Sequence, residues 1–464
     1  MRVQIPSCLM FVSACLFFFE LHTISVSAQC LSDQKSSLLS LKNDLKFDSS
    51  HSTKLVGWNR SVECCTWGGV SCDETGHVIV LDLRNESISG GIKTSSQWKG
   101  LNRLEFLSFG GNFLSGKLPE SLLQIPSLLG LDLSNNKLSG RVSDLIRVSS
   151  YKLTNLDLSS NSFQGSIPEF IFKIPTISTL TLSKNKFSGS VDLDVFGKLK
   201  DLYSLDLSYN DLTVIVNERG SFSTLTKLNS LMLASCKLQK VPDIKNHTRL
   251  MMLDLSVNEL TGEIPSWIWQ VGNGYLRFMN LSHNHFSGLQ KPYTFPFLLD
   301  VLDLHSNELK GDIPVPPRRV YILDYSSNKF GSSIPVDFGN VLRSTLTFSI
   351  SNSKVVGVIP ESIRNASSLR VLDLSRNGLT GSIPLIGNLK DLQSLDLSVN
   401  KLTGRIPEQL TNLTSLSFLN VSYNHLSGKI PQGSRFQAFT ELSYKGNDGL
   451  CGPPLKKSCG KRMS

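Results

Sequence analysis

One phrase recurs along most of this 464-residue chain at a spacing of about 24 residues. Residues 250–265 read LMMLDLSVNELTGEIP, and close copies occupy residues 369–384, 392–407 and 416–431. Repetition at this period is typical of a solenoid, in which each unit packs only against its neighbours. The repeat therefore argues against several separate compact domains, which length alone would favour at roughly 150 residues per domain.

Every copy can be aligned on one residue, which we call the anchor. Twelve of the fifteen anchors are Asn, and no interval between them exceeds 26 residues. The exceptions are Glu86, Cys236 and Ser353. In these repeats, and in the repeat where Gly110 and Gly111 precede Asn112, we expect a weaker local register but the same fold. Numbered as repeats one to fifteen, the anchors stand at positions 86, 112, 136, 161, 185, 210, 236, 258, 284, 307, 328, 353, 377, 400 and 424.

The residues before the anchor predict a strand. Leucines three and five positions before it alternate with polar residues, which is the pattern of a short, half-buried strand. Because one such strand cannot bury its apolar face alone, the copies must stack into a continuous sheet. We therefore predict an α/β solenoid with one long parallel β-sheet on its concave face. The anchor amide would satisfy backbone groups at the turn, and Cys236 would be a small buried replacement for it rather than a reactive thiol.

The first 28 residues have the pattern of a secretory signal. Arg2 precedes a short apolar run, and small residues lead to a predicted cleavage site after Ala28. An uncleaved membrane anchor is the alternative, but the apolar run is short for a bilayer. No later stretch reaches about 18 apolar residues, so the sequence predicts no membrane span and a product outside the cytosol.

Cysteines and glycosylation sequons agree with an extracellular chain. Six cysteines stand near the two ends, and an even number in a secreted chain favours disulfides. A zinc site is the alternative for the first four, although two adjacent cysteines are poor zinc spacing. The cysteines are Cys30, Cys64, Cys65, Cys72, Cys451 and Cys459. The predicted glycosylation sites are Asn59, Asn85, Asn246, Asn280, Asn365, Asn412 and Asn420.

The repeat phrase resembles the plant-specific extracellular leucine-rich repeat, LxxLxLxxNxLxGxIP, over roughly residues 30–460. Both ends are similar to that family's caps, which implies pairing of Cys30 with Cys64 and of Cys65 with Cys72. The leucines of residues 33–45 have helical spacing, with Ser32 or Asp33 as the N-cap. The expected organisation is a signal peptide at 1–28, an N-terminal cap at 29–77, about fifteen repeats at 78–435, and a C-terminal cap with a short basic tail at 436–464.

Motifs that suggest chemistry are explained by the repeat. The string His283-Asn284-His285 places two imidazoles around an anchor, so we interpret Asn284 as structural and expect no metal site. Aspartates four positions before the anchor form a ladder that follows the repeat consensus. The sequence contains no nucleophile elbow and no cysteine with a plausible histidine partner. We therefore expect no enzyme activity and no cofactor.

Binding is expected on the concave face, where solenoids usually bind. The variable positions there are six residues and one residue before each anchor, and they carry aromatic, apolar and charged side chains. Scattered surface hydrophobics are the alternative reading. The candidate ligand-binding residues are Phe106, Tyr209, Met252, Val257, Phe278, His283, Arg376, Val399, Phe418 and Tyr423. Asn280 and Asn420 lie four positions before an anchor, so glycans on them would mask repeats nine and fifteen.

The family resemblance implies a receptor-like protein in pathogen or defence perception, either secreted into the apoplast or held at the cell surface. A protein or peptide would bind the concave face. Signalling would require a membrane receptor kinase, which would dock on the last repeats as a co-receptor. Because the chain ends five residues after Cys459, we interpret it as a shortened or secreted form. A polygalacturonase-inhibitor-like protein and a truncated decoy are the alternatives. The net charge of +9 gathers near the C-terminus, so no nucleic-acid partner is expected.

Overall fold

The computed structural model describes residues 29–92, 97–142, 150–217, 220–433 and 436–459. The predicted secretory signal and the last residues of the basic tail lie outside these ranges. In the described part of the chain, no helix has the length and apolar character needed to cross a bilayer.

The long sheet runs through every repeat. Its first two strands are antiparallel, and each later strand is parallel to the one before it. The prediction of one strand before each of the fifteen anchors is therefore confirmed. The strands are Val70–Cys72, Val78–Asp82, Phe106–Ser108, Gly130–Asp132, Asn155–Asp157, Thr179–Thr181, Ser204–Asp206, Ser230–Met232, Met252–Asp254, Phe278–Asn280, Val301–Asp303, Ile322–Asp324, Thr347–Ser349, Val371–Asp373, Ser394–Asp396 and Phe418–Asn420.

A second set of short strands, not predicted from the sequence, follows the anchors and is extended by the cap strand Lys46–Phe47. They form four separate sheets among the described residues, the largest with seven strands. They are Lys46–Phe47, Ile88–Gly90, Phe113–Gly116, Lys137–Arg141, Ser162–Gly165, Lys186–Asp192 and Asp211–Ile215; then Thr261–Ile264 and His285–Leu289; then Lys310–Gly311 and Lys329–Gly331; and finally Val356–Val358, Gly378–Gly381, Lys401–Gly404, His425–Lys429 and Gly449–Cys451. We call these strands the second layer.

Short helices complete the turns of the solenoid. The α-helices are Ser32–Asp44, Gln97–Gly100 and Phe338–Val341. The 3-10 helices are Leu55–Gly57, Cys64–Thr66, Glu120–Gln124, Glu169–Lys173, Leu193–Lys198, Ser221–Thr224, Ser266–Gly274, Glu361–Asn365, Glu408–Asn412, Phe436–Ala438 and Glu441–Ser443. Five of the 3-10 helices follow directly after a repeat proline, whose fixed φ suits the entry to a helical turn.

The anchor asparagines hold the stack together. The amide of Asn258 donates to the carbonyls of Leu255 and Ser256 in its own repeat and to Leu233 in the preceding repeat. Its oxygen accepts from the backbone N–H of Leu238. Equivalent bonds recur at the other asparagine anchors, so the buried amides satisfy backbone groups that the tight turns would leave unpaired. The predicted role of the anchor is confirmed.

The three exceptional anchors share one local change. In each, the following residue adopts a left-handed conformation, as Ser87, Lys237 and Lys354 show. The N–H of the exceptional anchor then turns toward the oxygen of the next repeat's asparagine, as Cys236 does toward Asn258. The strands of these repeats pair regularly with those of the neighbouring repeats, so the fold is kept as predicted, but the expected weakening of the local register is not observed. Cys236 is buried, and burial raises the pKa of its thiol to about 12, which fits a packing role.

Both ends are closed by disulfide-linked caps. The bridges join Cys30 to Cys64 and Cys65 to Cys72, as the resemblance implied, and Cys451 to Cys459. The helix Ser32–Asp44 confirms the expected N-terminal helix. Its N-cap is Leu31, without a side-chain capping bond, so the assignment of Ser32 or Asp33 as N-cap was wrong. The helix is joined to the first repeat by buried Gln34, whose side-chain oxygen accepts from the N–H of Val78.

Candidate binding surface

The floor of the concave face contains the residues six positions before the anchors. Strand pairing places Met252, Phe278, Val301 and Ile322 side by side on consecutive strands. They pack into an apolar cluster separate from the main core, with only Met252 partly exposed. Phe278 is therefore buried by its neighbours, which corrects its prediction as an exposed aromatic. The other two candidates in this row, Phe106 and Phe418, are half-buried.

The residues one position before the anchors have a different backbone. In all fifteen repeats this residue has a positive φ, including the glycine of repeat two. In repeat eight, for example, the N–H of Val257 donates to the carbonyl of Ser282 in the next repeat. The left-handed turn therefore directs these side chains out of the core. Six of the candidate residues lie in this row and are exposed: Tyr209, Val257, His283, Arg376, Val399 and Tyr423.

Two of these exposed residues are valines. Val257 has φ 55° and Val399 has φ 56°, although a β-branched residue resists the left-handed region. Asn135 and Ser160 occupy the same position in other repeats, where they fit more easily. Val257 and Val399 are 41% and 39% exposed, so core packing does not explain why valine occupies these positions. Sequence reasoning had found this row but not its strained backbone.

The aspartate ladder lies between the two rows. Asp254 accepts from the N–H of Ser256, which folds the carboxylate back onto its own turn. Burial, together with neighbouring carboxylates of the ladder, raises the pKa of Asp254 to about 6 and that of Asp157 to about 7. Burial also raises the pKa of Asp206, Asp324 and Asp373, whereas at Asp82 the hydrogen bonds and charge of Arg84, with Lys54, outweigh burial and lower the pKa. This arrangement supports its interpretation as a structural element of the repeat.

The predicted glycosylation sites differ in accessibility. Asn59, Asn85, Asn246 and Asn412 are exposed, whereas Asn365 is half-buried. The two sequons on the concave floor behave otherwise. Asn280 is buried and accepts from the N–H and hydroxyl of Ser282, and Asn420 bonds Ser422 in the same way. These two amides occupy ladder positions, so masking of repeats nine and fifteen by glycans stays a prediction.

The string around Asn284 is divided by the fold. Asn284 is a buried anchor whose amide bonds Leu281, Ser282 and Leu255. His285 starts a strand of the second layer, whereas His283 lies at the concave face and meets His305 from the next repeat. The sequence analysis did not identify His305. Its signal was available, since His305 stands where most repeats have Ser.

The stacked strands, the asparagine ladder and the two caps together define a leucine-rich-repeat protein. The model of the leucine rich repeat N-terminal domain matches residues 31–73. Models of the leucine rich repeat match residues 151–212, 175–238, 249–271 and 415–435, and a two-copy repeat model matches residues 367–404.

Comparisons with whole proteins refine this class. The chain is 32% identical to receptor-like protein 47 of Arabidopsis thaliana, in a match that covers 78% of this chain and 53% of that protein. It therefore spans about half the length of this relative. The chain is a plant leucine-rich-repeat protein of the receptor-like type.

Solved structures agree with this assignment. The plant peptide hormone receptor RGFR1 in complex with RGF2 superposes with a TM-score of 0.66 at 28% identity, covering 78% of this chain and 62% of the receptor. The ectodomain of the Arabidopsis thaliana membrane receptor kinase GASSHO1/SCHENGEN3, in complex with CASPARIAN STRIP INTEGRITY FACTOR 2, has a TM-score of 0.56 at 27% identity, with 80% and 53% covered. The fold is thus that of plant receptor ectodomains.

Proposed function

We propose that this protein is a non-enzymatic extracellular recognition protein that binds a protein or peptide ligand on its concave face. The observation that carries the proposal is the exposed left-handed row. Tyr209, Val257, Val399 and Tyr423 present apolar surface where the backbone would favour Asn, Ser or Gly. Unfavourable conformations that core packing does not require are often kept for function.

The exposed residues fall into two groups along the solenoid. Tyr209 lies in repeat six, and Val257 and His283 lie in repeats eight and nine, where the apolar floor of repeats eight to eleven begins. Arg376, Val399 and Tyr423 occupy three consecutive repeats beside the C-terminal cap. The first group would bind the ligand, and the second would dock a membrane receptor kinase as co-receptor. The superposed plant peptide hormone receptor RGFR1, in complex with RGF2, supports the binding of a peptide ligand by this fold.

We propose that the biological role of the protein is defence perception. It would act in the apoplast or at the cell surface and would signal through a partner kinase. The similarity to Arabidopsis receptor-like proteins supports a receptor-like role. It does so for a chain that matches about half of that relative, so the role of the whole protein is part of the proposal.

The test is crosslinking of the purified secreted protein in apoplastic fluid and in membrane extracts, followed by mapping of the crosslinked residues. The variant Val257→Ser combined with Tyr209→Ser removes the first group, and Val399→Ser with Tyr423→Ser removes the second. Serine suits the left-handed turn, so both variants should fold. A matched control is Val336→Ser with Tyr275→Ser, since both residues are exposed outside the strands.

We expect crosslinks on the concave face that each double variant loses for one partner only, while the control keeps both. Crosslinks confined to the second layer would contradict the proposal. Inhibition of a fungal pectinase by the protein without any kinase would support the polygalacturonase-inhibitor alternative instead.

A further inference from the structure

Two histidines from adjacent repeats meet on the concave face, next to two carboxylates. Nε2 of His283 lies 2.9 Å from Nε2 of His305, and their rings are nearly perpendicular. On the other side of the ring, Nδ1 of His305 lies 2.7 Å from Oδ1 of Asp303. Asp324 is the register partner of Asp303 on the next strand. Sequence spacing does not reveal this group, because its members come from three repeats.

The repeat itself does not demand an imidazole here. The position of His305 is Ser in most repeats, and its N–H closes the same turn onto Asp303 that serine closes elsewhere. Serine would therefore satisfy the fold. The ring adds a nitrogen ligand beside two ladder carboxylates, and His283 stands where it can hold that ring from its far side.

The carboxylates have little compensation for their charge. The side chain of Asp303 is 2% exposed and that of His305 is 26% exposed. Within the described part of the chain, no Lys or Arg forms an ion pair with Asp303 or Asp324. Asp303 is buried and contacts the imidazole of His305, whereas Asp324 is half-buried. When both carboxylates are ionised they repel each other, and a bound cation would relieve that repulsion.

We propose that His305, Asp303 and Asp324 form a binding site for a divalent transition-metal ion of the zinc type. Ligand atoms of the three residues lie within 4.8 Å of one another. Four-coordinate zinc, with bonds of about 2.0–2.2 Å, keeps its ligand atoms roughly 3.3 Å apart, so small side-chain shifts would complete the site. Three protein ligands leave a fourth position open toward the concave face.

His283 has a positioning role in this arrangement. With the ion on Nδ1 of His305, the Nε2–H of His305 donates to Nε2 of His283. Hydrogen bonds to the second nitrogen of a metal-bound imidazole fix its tautomer and orientation. The ligand set of one imidazole and two carboxylates suits zinc and its neighbours better than soft thiolate-seeking ions.

The test uses Zn²⁺ alone with the full chain after chelator treatment, measured by isothermal titration calorimetry. We expect one ion per chain, with at least tenfold weaker binding in His305→Ser and in Asp324→Asn. His283→Asn should weaken binding less, by up to tenfold, because it removes only the orienting contact. X-ray absorption of the loaded protein should show one imidazole among oxygen ligands.

The variants are matched to the repeat. Serine and asparagine occupy the positions of His305 and His283 in other repeats, so both variants should keep the fold, which circular dichroism checks. The control is His285→Ser, an exposed histidine of the second layer. Binding that survives His305→Ser unchanged, or that is lost in the control instead, would overturn the site, as would the absence of any binding by the wild-type chain. No peptide is needed, so this result is independent of the proposed function.

Discussion

At the scale of single residues, the anchor asparagine is the unit on which the stack depends. One buried side chain serves backbone groups of two successive repeats, as Asn258 does for Leu233 and Leu238 of repeat seven and Ser256 of repeat eight. Serine and cysteine can stand in at single repeats only because the next asparagine accepts a second N–H, as Asn377 does from Ser353 and Val355. Tolerance of an exception therefore depends on a regular neighbour.

Replacing Asn258 by Ala should be strongly destabilising. The change removes the partner of the Leu233 carbonyl and of the N–H groups of Cys236 and Leu238 in a buried turn. The carbonyls of Leu255 and Ser256 lose one bond each but still accept from Asn284 and Ser235. We expect a loss of about 3 kcal/mol or more in unfolding free energy, measured by chemical denaturation. Asn388→Ala is the control, since Asn388 is exposed and donates one bond. Equal losses in both variants would contradict the anchor's role.

The aspartate ladder makes stability depend on pH. The pKa of Asp157 is raised to about 7, mainly by burial and then by Asp132. Since its folded pKa exceeds its unfolded value, its contribution becomes less favourable as pH rises from about 4 to 7. Asp157→Asn should therefore stabilise the protein more at pH 8 than at pH 4, as thermal unfolding at the two pH values would show. Asn280 shows that an amide fits this ladder position.

A gain in stability for Asp157→Asn that is the same at both pH values would mean that ionisation of Asp157 is not the cause.

The contribution of buried His247 to stability depends on pH in the opposite direction. Burial lowers the pKa of its imidazole, so the unfolded chain binds a proton at a higher pH than the folded protein does. The free energy of unfolding therefore decreases as pH falls below about 6.5, the ordinary pKa of histidine.

At the scale of elements, the two sets of strands follow different rules. The long sheet is continuous because every repeat keeps a large buried apolar residue at both leucine positions, and five repeats use Phe, Met, Tyr, Ile or Val at one or both of them. The second layer depends on the residues after the anchor, where a glycine with positive φ recurs, as at Gly262 and Gly404. Repeat seven has Lys240 at that place, and the second layer is interrupted between Ile215 and Thr261, whereas repeat six has Val214 there and keeps its strand Asp211–Ile215.

Glu86 joins the N-terminal cap to the first repeat. Its buried carboxylate accepts from the N–H groups of Thr53 and Lys54 and from both hydroxyls of Ser52 and Thr53. Burial raises its pKa, but these hydrogen bonds outweigh burial and lower it overall. What looks like a degenerate anchor in the sequence is a connection between two elements.

Glu86→Ala should loosen the cap without unfolding the repeats. We expect a loss of about 3 kcal/mol and faster hydrogen exchange at residues 53–55, measured by mass spectrometry. The stability that the wild-type carboxylate contributes should disappear as acidification protonates Glu86. The reason is that the hydrogen bonds that lower its pKa stabilise only the ionised carboxylate. Exposed Glu74→Ala serves as the control. Unchanged exchange at residues 53–55 in the Glu86 variant would rule out the connection.

At the scale of the whole molecule, stability is a sum of nearest-neighbour contacts. The strand of repeat one, Val78–Asp82, is covered by the cap strand Val70–Cys72. The last strand of the long sheet is covered by the turn at Glu441–Ser443. Asn447 repeats the anchor bonds inside the C-terminal cap, donating to Val421 and Tyr444. The cap is thus a final partial repeat, which the sequence analysis did not recognise.

Removing the last disulfide should have a local effect. In Cys451→Ser combined with Cys459→Ser, we expect faster hydrogen exchange in the strands Gly449–Cys451 and His425–Lys429, which pair with each other. Repeats one to ten should exchange at wild-type rates, because a solenoid repeat packs mainly on its immediate neighbours. The corresponding variant of Cys65 and Cys72 should affect only the other end. Exchange that rises along the whole chain would show one global unfolding unit instead.

The sequence by itself determined the period, the leucine strands, the anchor ladder and the caps, because these follow from local patterns that repeat every 24 residues or so. Only the tertiary structure decided what lies between repeats. The burial of Phe278 by its neighbours, the role of Glu86 and the meeting of His283 with His305 depend on how adjacent turns are stacked. The physical reason is that these contacts join residues 22 or more positions apart, whose approach is set by the shared sheet register rather than by the local chain.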